Sequence, residues 1–369
     1  MTRLRDLGIS IGALPPGPSN GITDVTGVKV GYSTLIEGEG SGAVRTGVTA
    51  ILPHAEVGSK PLFAGAHRLN GNGELTGLEW VRESGLLTTP IALTNTHSVG
   101  VVRDALVAYE IERRAGETDY WTLPVVGETW DGRLNDCNGQ HVKAEHLFQA
   151  LDSATDGVIA EGNVGGGTGM IAHGFKGGTG TSSRVIEVGD DTWTVGVLVQ
   201  ANYGWRERFS VNGVPVGLEV PTSMIPDPDE EEGAPPPGSG SIIIVVATDA
   251  PCLPHQCERL AQRAGLGMAR VGGAGEHTSG DIFIAFATGN AGRVHSYKTE
   301  EDYGSIDVRM ISDMSMSVMY HGVIEATEEA ITNAMVAAET MTGRDGNVAT
   351  ALPHDLLLDA MRKYGRGPT

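Results

Sequence analysis

Short apolar segments rich in β-branched residues recur along the chain, and turn-forming residues bound most of them. This pattern predicts strands at residues 48–52, 91–96, 158–161, 184–188, 194–200, 242–248 and 282–287. Helices are predicted at residues 101–114, 254–270, 322–341 and 355–363; the second has Pro254 in its first turn and apolar residues at helical spacing behind it. Strand runs followed by helices indicate a layered α/β sandwich.

Length and charge limit the classes of protein and of partner. The chain has 369 residues, and α/β proteins of this size often form one domain, so a single domain over residues 1–369 is expected. The formal net charge is −20 and no long run of lysine and arginine occurs. Nucleic acids and anionic membranes are therefore not expected as partners, whereas small neutral or cationic substrates are.

The sequence also has no features typical of an exported protein, a metal site or a cofactor site. No apolar stretch of signal-peptide length follows the N-terminal arginines and eighteen apolar residues never run together, which predicts a soluble, cytoplasmic protein. The three cysteines lack CxxC spacing and are expected to be reduced and buried. The histidines form no HExxH-like pair, and the glycine clusters lack the spacing of nucleotide-binding loops. We expect no metal and no cofactor.

The composition changes abruptly at one place. Residues 226–240 read PDPDEEEGAPPPGSG, a stretch that cannot bury apolar surface and is expected to be an exposed linker. The continuous apolar segment 241–248 follows directly and is typical of a strand buried on both faces. Ser241 is therefore the first residue of a buried strand, placed immediately behind a glycine.

Gly240 and Ser241 fit the requirements of a self-cleaving junction. Glycine permits the strained backbone in which the serine hydroxyl attacks the preceding carbonyl. Cleavage would free an α-amine beside that hydroxyl, so nucleophile and base would lie in one residue. Two alternatives remain: a plain flexible connector, and a cut at Gly238–Ser239. We prefer Ser241 because it heads the strand, whereas Ser239 would stay on the linker.

A second candidate group is Ser279 with Asp281, at the entrance of the strand predicted at 282–287. Residues two apart on a strand point to the same face, so the hydroxyl can relay a proton while the carboxylate orients it. The alternative interpretation is an ordinary turn before a strand.

Two further segments have polar groups at predicted strand ends or in loops. Asn202 precedes a glycine turn, where its amide can stabilise a developing oxyanion, although asparagine near glycine is also common turn chemistry. Residues 125–136 place Glu128, Asp131 and Asp136 around Trp130, which looks buried in the sequence. An acidic group beside an apolar wall could hold a substrate ammonium; the alternative is a loop with solvated acids.

Taken together, these segments resemble the DmpA-like family of L-aminopeptidase/D-esterases and β-aminopeptidases. The resemblance covers nearly the whole chain. It rests on the four segments above and on GITDVTGVKVG (21–31), RTGVTAILP (45–53), NGNGE (70–74), TNTHSVG (94–100) and GNVGGGTGM (162–170).

The resemblance implies a four-layer αββα sandwich, similar to the N-terminal nucleophile hydrolases but with different strand connections. It implies self-cleavage between Gly240 and Ser241 into chains of residues 1–240 and 241–369, assembled as a homotetramer. It assigns Ser241 as nucleophile, with Ser279 and Asp281 in support. Asn202 is assigned to the oxyanion hole.

The same resemblance assigns Glu128 as the acceptor of the substrate amine. Trp130 departs from the family, since some members have a tyrosine there whose hydroxyl helps to bind the oxyanion. Asp281 also stands where related β-aminopeptidases can have glutamate. Both departures affect the expected substrate preference, which the sequence leaves open among L-α, D-α and β-amino residues.

The expected function is therefore that of a cofactor-free hydrolase. It would release N-terminal residues from short peptides, amides or esters that have a free amino end, through an acyl-enzyme on Ser241. Two alternatives remain. One is acyl transfer of the ornithine acetyltransferase type, since those enzymes share the layered fold, although they use threonine at the cut. The other is an uncut, glycine-rich binding protein, which would have no activity.

Overall fold

The computed structural model describes residues 1–114, 120–228, 240–294 and 304–368. Its strands are β1 (Lys29–Glu37), β2 (Val44–Leu52), β3 (Leu62–Arg68), β4 (Leu86–Leu87), β5 (Ile91–Asn95), β6 (Val125–Thr129), β7 (Ile171–Ala172), β8 (Phe175–Lys176), β9 (Gly178–Val188), β10 (Asp191–Asn202), β11 (Ser241–Thr248), β12 (Gly280–Ala287), β13 (Met341–Thr342) and β14 (Val348–Ala349). Its α-helices are α1 (Leu78–Ser84), α2 (Val99–Arg113), α3 (Ala144–Asp152), α4 (Val216–Glu219), α5 (Pro254–Val271), α6 (Met316–Val336) and α7 (His354–Lys363).

Two mixed sheets face each other in the centre of the fold. One has the strand order β1-β2-β5-β6, and the other has the order β4-β3-β12-β11-β10-β9. Apolar side chains from both sheets pack together between them, among them Leu93 of β5 and Ile243 of β11. These side chains are withdrawn from water on both sides, which makes the inter-sheet layer one of the main sources of stability.

Helices cover the outer face of each sheet. Helices α2 and α3 pack on the smaller sheet, as Val102 and Leu147 do against Ala50. Helices α5 and α6 pack on the larger sheet through buried apolar side chains, among them Leu260 of α5 and Val323 of α6. The layers are therefore helix, sheet, sheet and helix, as the sequence predicts.

Strand β11 shows why its sequence is apolar throughout. All eight of its residues are buried. Ile242 and Ile244 point toward α5 and α6, whereas Ile243 and Val245 point toward the second sheet. A strand with a layer on each face must be apolar at every position rather than at alternate ones.

One predicted strand is wrong. Residues 158–161 form no strand, although Val158, Ile159 and the small Ala160 suit one locally. Val158 is 67% exposed, and Glu161 is buried in a salt bridge with Arg3 at 2.6 Å. Tertiary contacts therefore decide the structure of this segment, and they outweigh its local propensity. The helix predicted at 322–341 instead begins at Met316 and ends at Val336.

The three cysteines are unpaired and buried, as expected. Burial raises the pKa of Cys137 and of Cys252 to about 12, so both stay protonated thiols at neutral pH. Across the described ranges, no helix is both long and apolar enough to cross a membrane.

Candidate active site

Ser241 lies at the junction of three strands. It is the first residue of β11, with Asn202 of β10 opposite it on one side and Gly280 of β12 on the other. The backbone N–H of Gly280 donates to the Ser241 Oγ over 3.0 Å. The side chain is 6% exposed. The hydroxyl is therefore fixed in position by the sheet itself.

Gly240 has a backbone conformation that favours glycine, with φ +152°. A Cβ placed on it would lie 2.1 Å from the backbone oxygen of Asn202, which is far inside contact distance. The position therefore excludes a side chain both by backbone conformation and by space. The linker predicted at residues 226–240 and the competing cut at Ser239 fall largely or wholly in 229–239, which lie outside the described residues.

Ser279 and Asp281 form the hydrogen-bonded pair that their spacing predicts. The Ser279 hydroxyl donates to Asp281 Oδ1 over 2.6 Å, and both residues are buried. They flank Gly280, the strand partner of Ser241, so the pair lies beside the start of β11. Burial raises the pKa of Asp281 to about 6, although hydrogen bonds from Ser279 and Asn70 act in the opposite direction.

The loop 69–74 holds this pair in place. Asn70 accepts a hydrogen bond from the Asp281 N–H over 2.8 Å and donates to the Glu276 carbonyl over 2.7 Å. Asn72 donates to the Thr278 carbonyl over 2.6 Å. No role is predicted from the sequence for the residues of this NGNGE segment. The asparagines that alternate with its glycines are the signal that could have indicated one.

Glu128, the candidate acceptor of a substrate ammonium, is the penultimate residue of β6 on the opposite sheet and is 3% exposed. Its Oε1 accepts from the Glu74 N–H over 2.8 Å, and its Oε2 accepts from the Thr96 hydroxyl. Burial raises the pKa of Glu128 despite these two bonds. Gly73 lies so close that a Cβ on it would be 3.1 Å from Oε1. The contacts of Thr96 and Gly73 with Glu128 are not predicted from the sequence.

Asn202 and Trp130 are joined by a hydrogen bond. The Asn202 side-chain amide donates to the Trp130 carbonyl over 2.9 Å, and its oxygen accepts from the Ile171 N–H over 2.9 Å. An amide has two N–H groups, so one donor remains for a ligand after this bond is made. The indole of Trp130 is 39% exposed. The expectation of a buried tryptophan is therefore wrong, because the ring lines an open cavity.

One cavity brings four of the candidates together, whereas Asn202, Ser279 and Asp281 are not in its lining. It has a volume of about 470 Å³, and its lining includes Ser241, Gly240, Glu128 and Trp130. The Glu128 carboxylate and the Ser241 hydroxyl come from opposite sheets, and both line this cavity. A molecule in this cavity could present a cation to Glu128 and a carbonyl group to Ser241 at the same time.

The other acids of the 125–136 segment have structural roles. Asp131 is 1% exposed and accepts from the side chains of Asn95 and Asn135, each over 3.0 Å. Asp136 pairs with His141 at 3.0 Å. Neither lines the Ser241 cavity, which leaves Glu128 as the acid of that segment within it.

Comparison with known proteins places this geometry in a family. The model of peptidase family S58 matches residues 20–349. The chain belongs to peptidase family S58. It is a hydrolase of the serine aminopeptidase type, which matches the expectation drawn from the sequence.

Individual members of the family are similar over their whole length. The β-peptidyl aminopeptidase BapA of Sphingosinicella microcystinivorans is 48% identical over 375 aligned residues, which cover 99% of this chain and 93% of that protein. The structure of a Burkholderia sp. β-aminopeptidase is 53% identical, covers 99% of both chains and superposes with a TM-score of 0.92.

A second solved structure has the same fold. The L-aminopeptidase D-Ala-esterase/amidase of Ochrobactrum anthropi is 43% identical over 99% of both chains, with a TM-score of 0.89. That protein is described as a prototype of the serine aminopeptidases and as a new variant of the N-terminal nucleophile hydrolase fold. The four-layer sandwich expected from the sequence is thereby confirmed.

Proposed function

We propose that this S58 hydrolase cuts its own chain between Gly240 and Ser241, giving residues 1–240 and 241–369, and then uses Ser241 as an N-terminal nucleophile. The observation that favours this most is the combination of a glycine with φ +152° and a serine hydroxyl bound to the Gly280 N–H at the head of a buried strand. A plain connector would need neither the strained glycine nor the fixed hydroxyl.

Self-cleavage proceeds in two steps. The Ser241 Oγ attacks the Gly240 carbonyl carbon, and the C–N bond breaks as the hydroxyl proton passes to the Ser241 nitrogen. Water then hydrolyses the resulting ester, which leaves a carboxylate on Gly240 and restores the Ser241 hydroxyl. The free α-amine, with an ordinary pKa of about 8, can then act as the base for substrate turnover.

Turnover follows the same chemistry on an external carbonyl. The α-amine takes the hydroxyl proton while Oγ attacks the substrate carbonyl, and Asn202 donates its remaining N–H to the oxyanion. The leaving amine or alcohol departs with the proton, and water hydrolyses the acyl-enzyme. Ser279 and Asp281 position the amine of Ser241, since they flank the residue paired with it in the sheet.

Glu128 gives the reaction its exopeptidase character. A free substrate ammonium would bind the buried carboxylate, whereas an internal peptide residue would leave that carboxylate without a cation. The substrates are therefore short peptides, amides or esters with a free amino end. Trp130, which lines the same cavity, contacts the acyl part and takes part in choosing among α- and β-amino residues.

The proposal extends to assembly and location. The segment 306–314 exposes several large apolar side chains, namely Ile306, Val308, Met310 and Met314. Burying such side chains against other copies supports a homotetramer of cleaved chains. The net charge of −20 supports an enzyme with neither nucleic acid nor membrane as partner, and we place that enzyme in the cytoplasm.

Intact-protein mass spectrometry of the wild type beside Ser241→Ala tests the proposal. Two fragments, of 240 residues and of the remaining 129, are expected in the wild type, with one uncut chain in the variant. Turnover of amino-acid amides should accompany the cut form alone. A single intact wild-type mass would overturn self-cleavage and favour an uncut binding protein.

A further inference from the structure

A second cavity of about 440 Å³ adjoins the one that contains Ser241. Gly73 and Glu74 line both, so the two cavities are separated only by the loop in which these residues lie. Two arginines, Arg68 and Arg82, line the second cavity. A substrate held in the first cavity can extend past this loop into the second.

The two arginines differ in their partners. Arg82 forms a salt bridge with Glu79 at 2.6 Å. Arg68 is exposed, and it has no ion pair or side-chain hydrogen bond within the described ranges 1–114, 120–228, 240–294 and 304–368. Its stem lies over Gly71, where a Cβ would be 3.2 Å from the Arg68 Cδ. The guanidinium of Arg68 is therefore the one available to an external anion.

The sheet register relates Arg68 to the nucleophile. Arg68 ends β3 opposite Ile282, and Ile282 in turn lies beside Ile243, two residues after Ser241. Leu62 and the alternate residues of β3 pack between the sheets, so Arg68 shares the face of Ile282, Ile243 and Ser241. Arg68 and Ser241 are two strands apart across the sheet, at about 4.8 Å per strand, and two residues apart along it, at about 3.3 Å per residue. These perpendicular displacements give a separation of about 12 Å between their Cα atoms.

That separation fits a short peptide. One or two extended residues span about 3.5 Å each, and the long Arg68 side chain closes the rest of the gap. The neighbouring wall is apolar, with Leu75, Leu78 and Ile282 in the lining. An apolar side chain following the scissile bond would be buried there, while its carboxylate reaches the rim.

Charges of opposite sign lie at the two ends of this combined groove. The buried carboxylate of Glu128 lies in the cavity with the nucleophile, and Glu74, which lines both cavities, is close enough to help raise the pKa of Glu128. Glu79 also lines the second cavity, where it is paired with Arg82. Arg68 lies at the other end. A zwitterionic chain one or two residues longer than the acyl part matches both ends.

We propose that Arg68 binds the terminal carboxylate of di- and tripeptide substrates, so that the second cavity holds the leaving part and makes the enzyme prefer short peptides with a free C-terminus. This inference rests on the function proposed above, in which Glu128 binds the amino end and Ser241 attacks between the two charges. Arg68 is thus a specificity-determining residue.

The test compares kcat/KM for a dipeptide with kcat/KM for the same dipeptide bearing a C-terminal amide, in the wild type, Arg68→Gln and Arg82→Gln. The wild type should favour the free acid, and Arg68→Gln should lower the ratio of acid to amide about tenfold, since charge-assisted hydrogen bonds are strong. Arg82→Gln, the matched control, should leave the ratio unchanged. The wild-type ratio should also fall as salt is added.

An amino-acid p-nitroanilide, which has no carboxylate, separates this inference from the proposed function. If the wild type cleaves the anilide but Arg68→Gln keeps the wild-type ratio, the carboxylate role of Arg68 is wrong and the proposed function stands. If Arg82→Gln lowers the ratio instead, the assignment to Arg68 is equally wrong. If the wild type cleaves none of the three substrates, both the role of Arg68 and the proposed function are overturned.

Discussion

The Gly280 N–H donates to the Ser241 Oγ over 3.0 Å, from the parallel strand that begins beside β11. A backbone donor cannot rotate away as a side chain can, so the hydroxyl keeps its orientation without help from a flexible group. Ser279, which immediately precedes that strand, and Asp281, which lies within it, stand on either side of Gly280. The position of the candidate nucleophile and of its supporting pair thus depends on one pairing between two strands.

Replacement of Gly240 with alanine should slow self-cleavage. An added Cβ would lie 2.1 Å from the Asn202 oxygen at φ +152°, so the junction must move away from the geometry in which Ser241 attacks. Strained backbone positions cost about 1–3 kcal/mol, which corresponds to a rate about 5- to 150-fold lower. The measurement is the fraction of cut chain against time, by mass spectrometry.

Gly100→Ala is the matched control for that experiment. Gly100 lies in α2, and a Cβ on it would meet nothing within 4 Å. This variant should be cut at the wild-type rate. Equal rates for Gly240→Ala and Gly100→Ala would show that the strained glycine has no part in cleavage.

Glu128→Gln should weaken turnover of substrates with a free amine. Gln keeps an oxygen for the Glu74 N–H but removes the negative charge that would bind an ammonium. Hydrogen bonds to charged groups contribute about 1.5–3 kcal/mol, so kcat/KM should fall roughly 10- to 100-fold. The loss should be absent for an ester whose α-amine is replaced by a hydroxyl. A loss of the same size on both substrates would contradict the ammonium role.

The pH profile of kcat/KM should show a further fall below about pH 6, in addition to the decline that protonation of the Ser241 α-amine causes at higher pH. Burial raises the pKa of Asp281 to about 6, so its carboxylate is ionised above that pH and becomes protonated below it. A protonated Asp281 is a poorer acceptor for the Ser279 hydroxyl. Activity that needs the ionised pair is therefore present at pH 7 and lost as the pH falls through 6.

Asp281→Asn distinguishes this group from the α-amine of Ser241, which also gains a proton at low pH. The variant should have lower kcat/KM throughout, and its acid limb should lose the component near pH 6. An acid limb of unchanged midpoint and slope in Asp281→Asn would assign the whole decline to the amine and leave Asp281 without a titrating role.

The sequence predicts those parts of the fold and site that depend on neighbouring residues. The uninterrupted apolar run behind Ser241 is a buried strand, and the two-residue spacing of Ser279 and Asp281 does bring them to one face. In both cases the deciding contact is local or follows from strand periodicity. The layered architecture follows from the order of such elements.

Parts that depend on distant contacts could not be predicted from the sequence. Glu128 reaches the Ser241 cavity because the backbone of Glu74 and the hydroxyl of Thr96 hold its carboxylate. No local pattern links these three residues. The exposed indole of Trp130 is a similar case, since an apolar ring beside acids is as compatible with a core as with a cavity wall.

A cluster of buried charges joins β9, α6 and the N-terminal segment, and removing one of these charges should destabilise the fold. Arg184 of β9 is fully buried and pairs with Glu329 at 2.7 Å and with Glu325 at 3.2 Å. Glu329 also receives Arg5 at 2.7 Å. Burial raises the pKa of Glu329, but the two arginines outweigh that effect and leave it below its usual value.

Arg184→Met should therefore lower the free energy of unfolding by about 3–5 kcal/mol, because it leaves two glutamates of α6 without their buried partner. Urea denaturation in the uncut Ser241→Ala background measures this on a single chain. Arg344→Met, which removes an exposed pair with Asp345, should shift the midpoint little. A midpoint for Arg184→Met equal to that of Arg344→Met would mean that the buried ion pairs of Arg184 contribute no net stability to the fold.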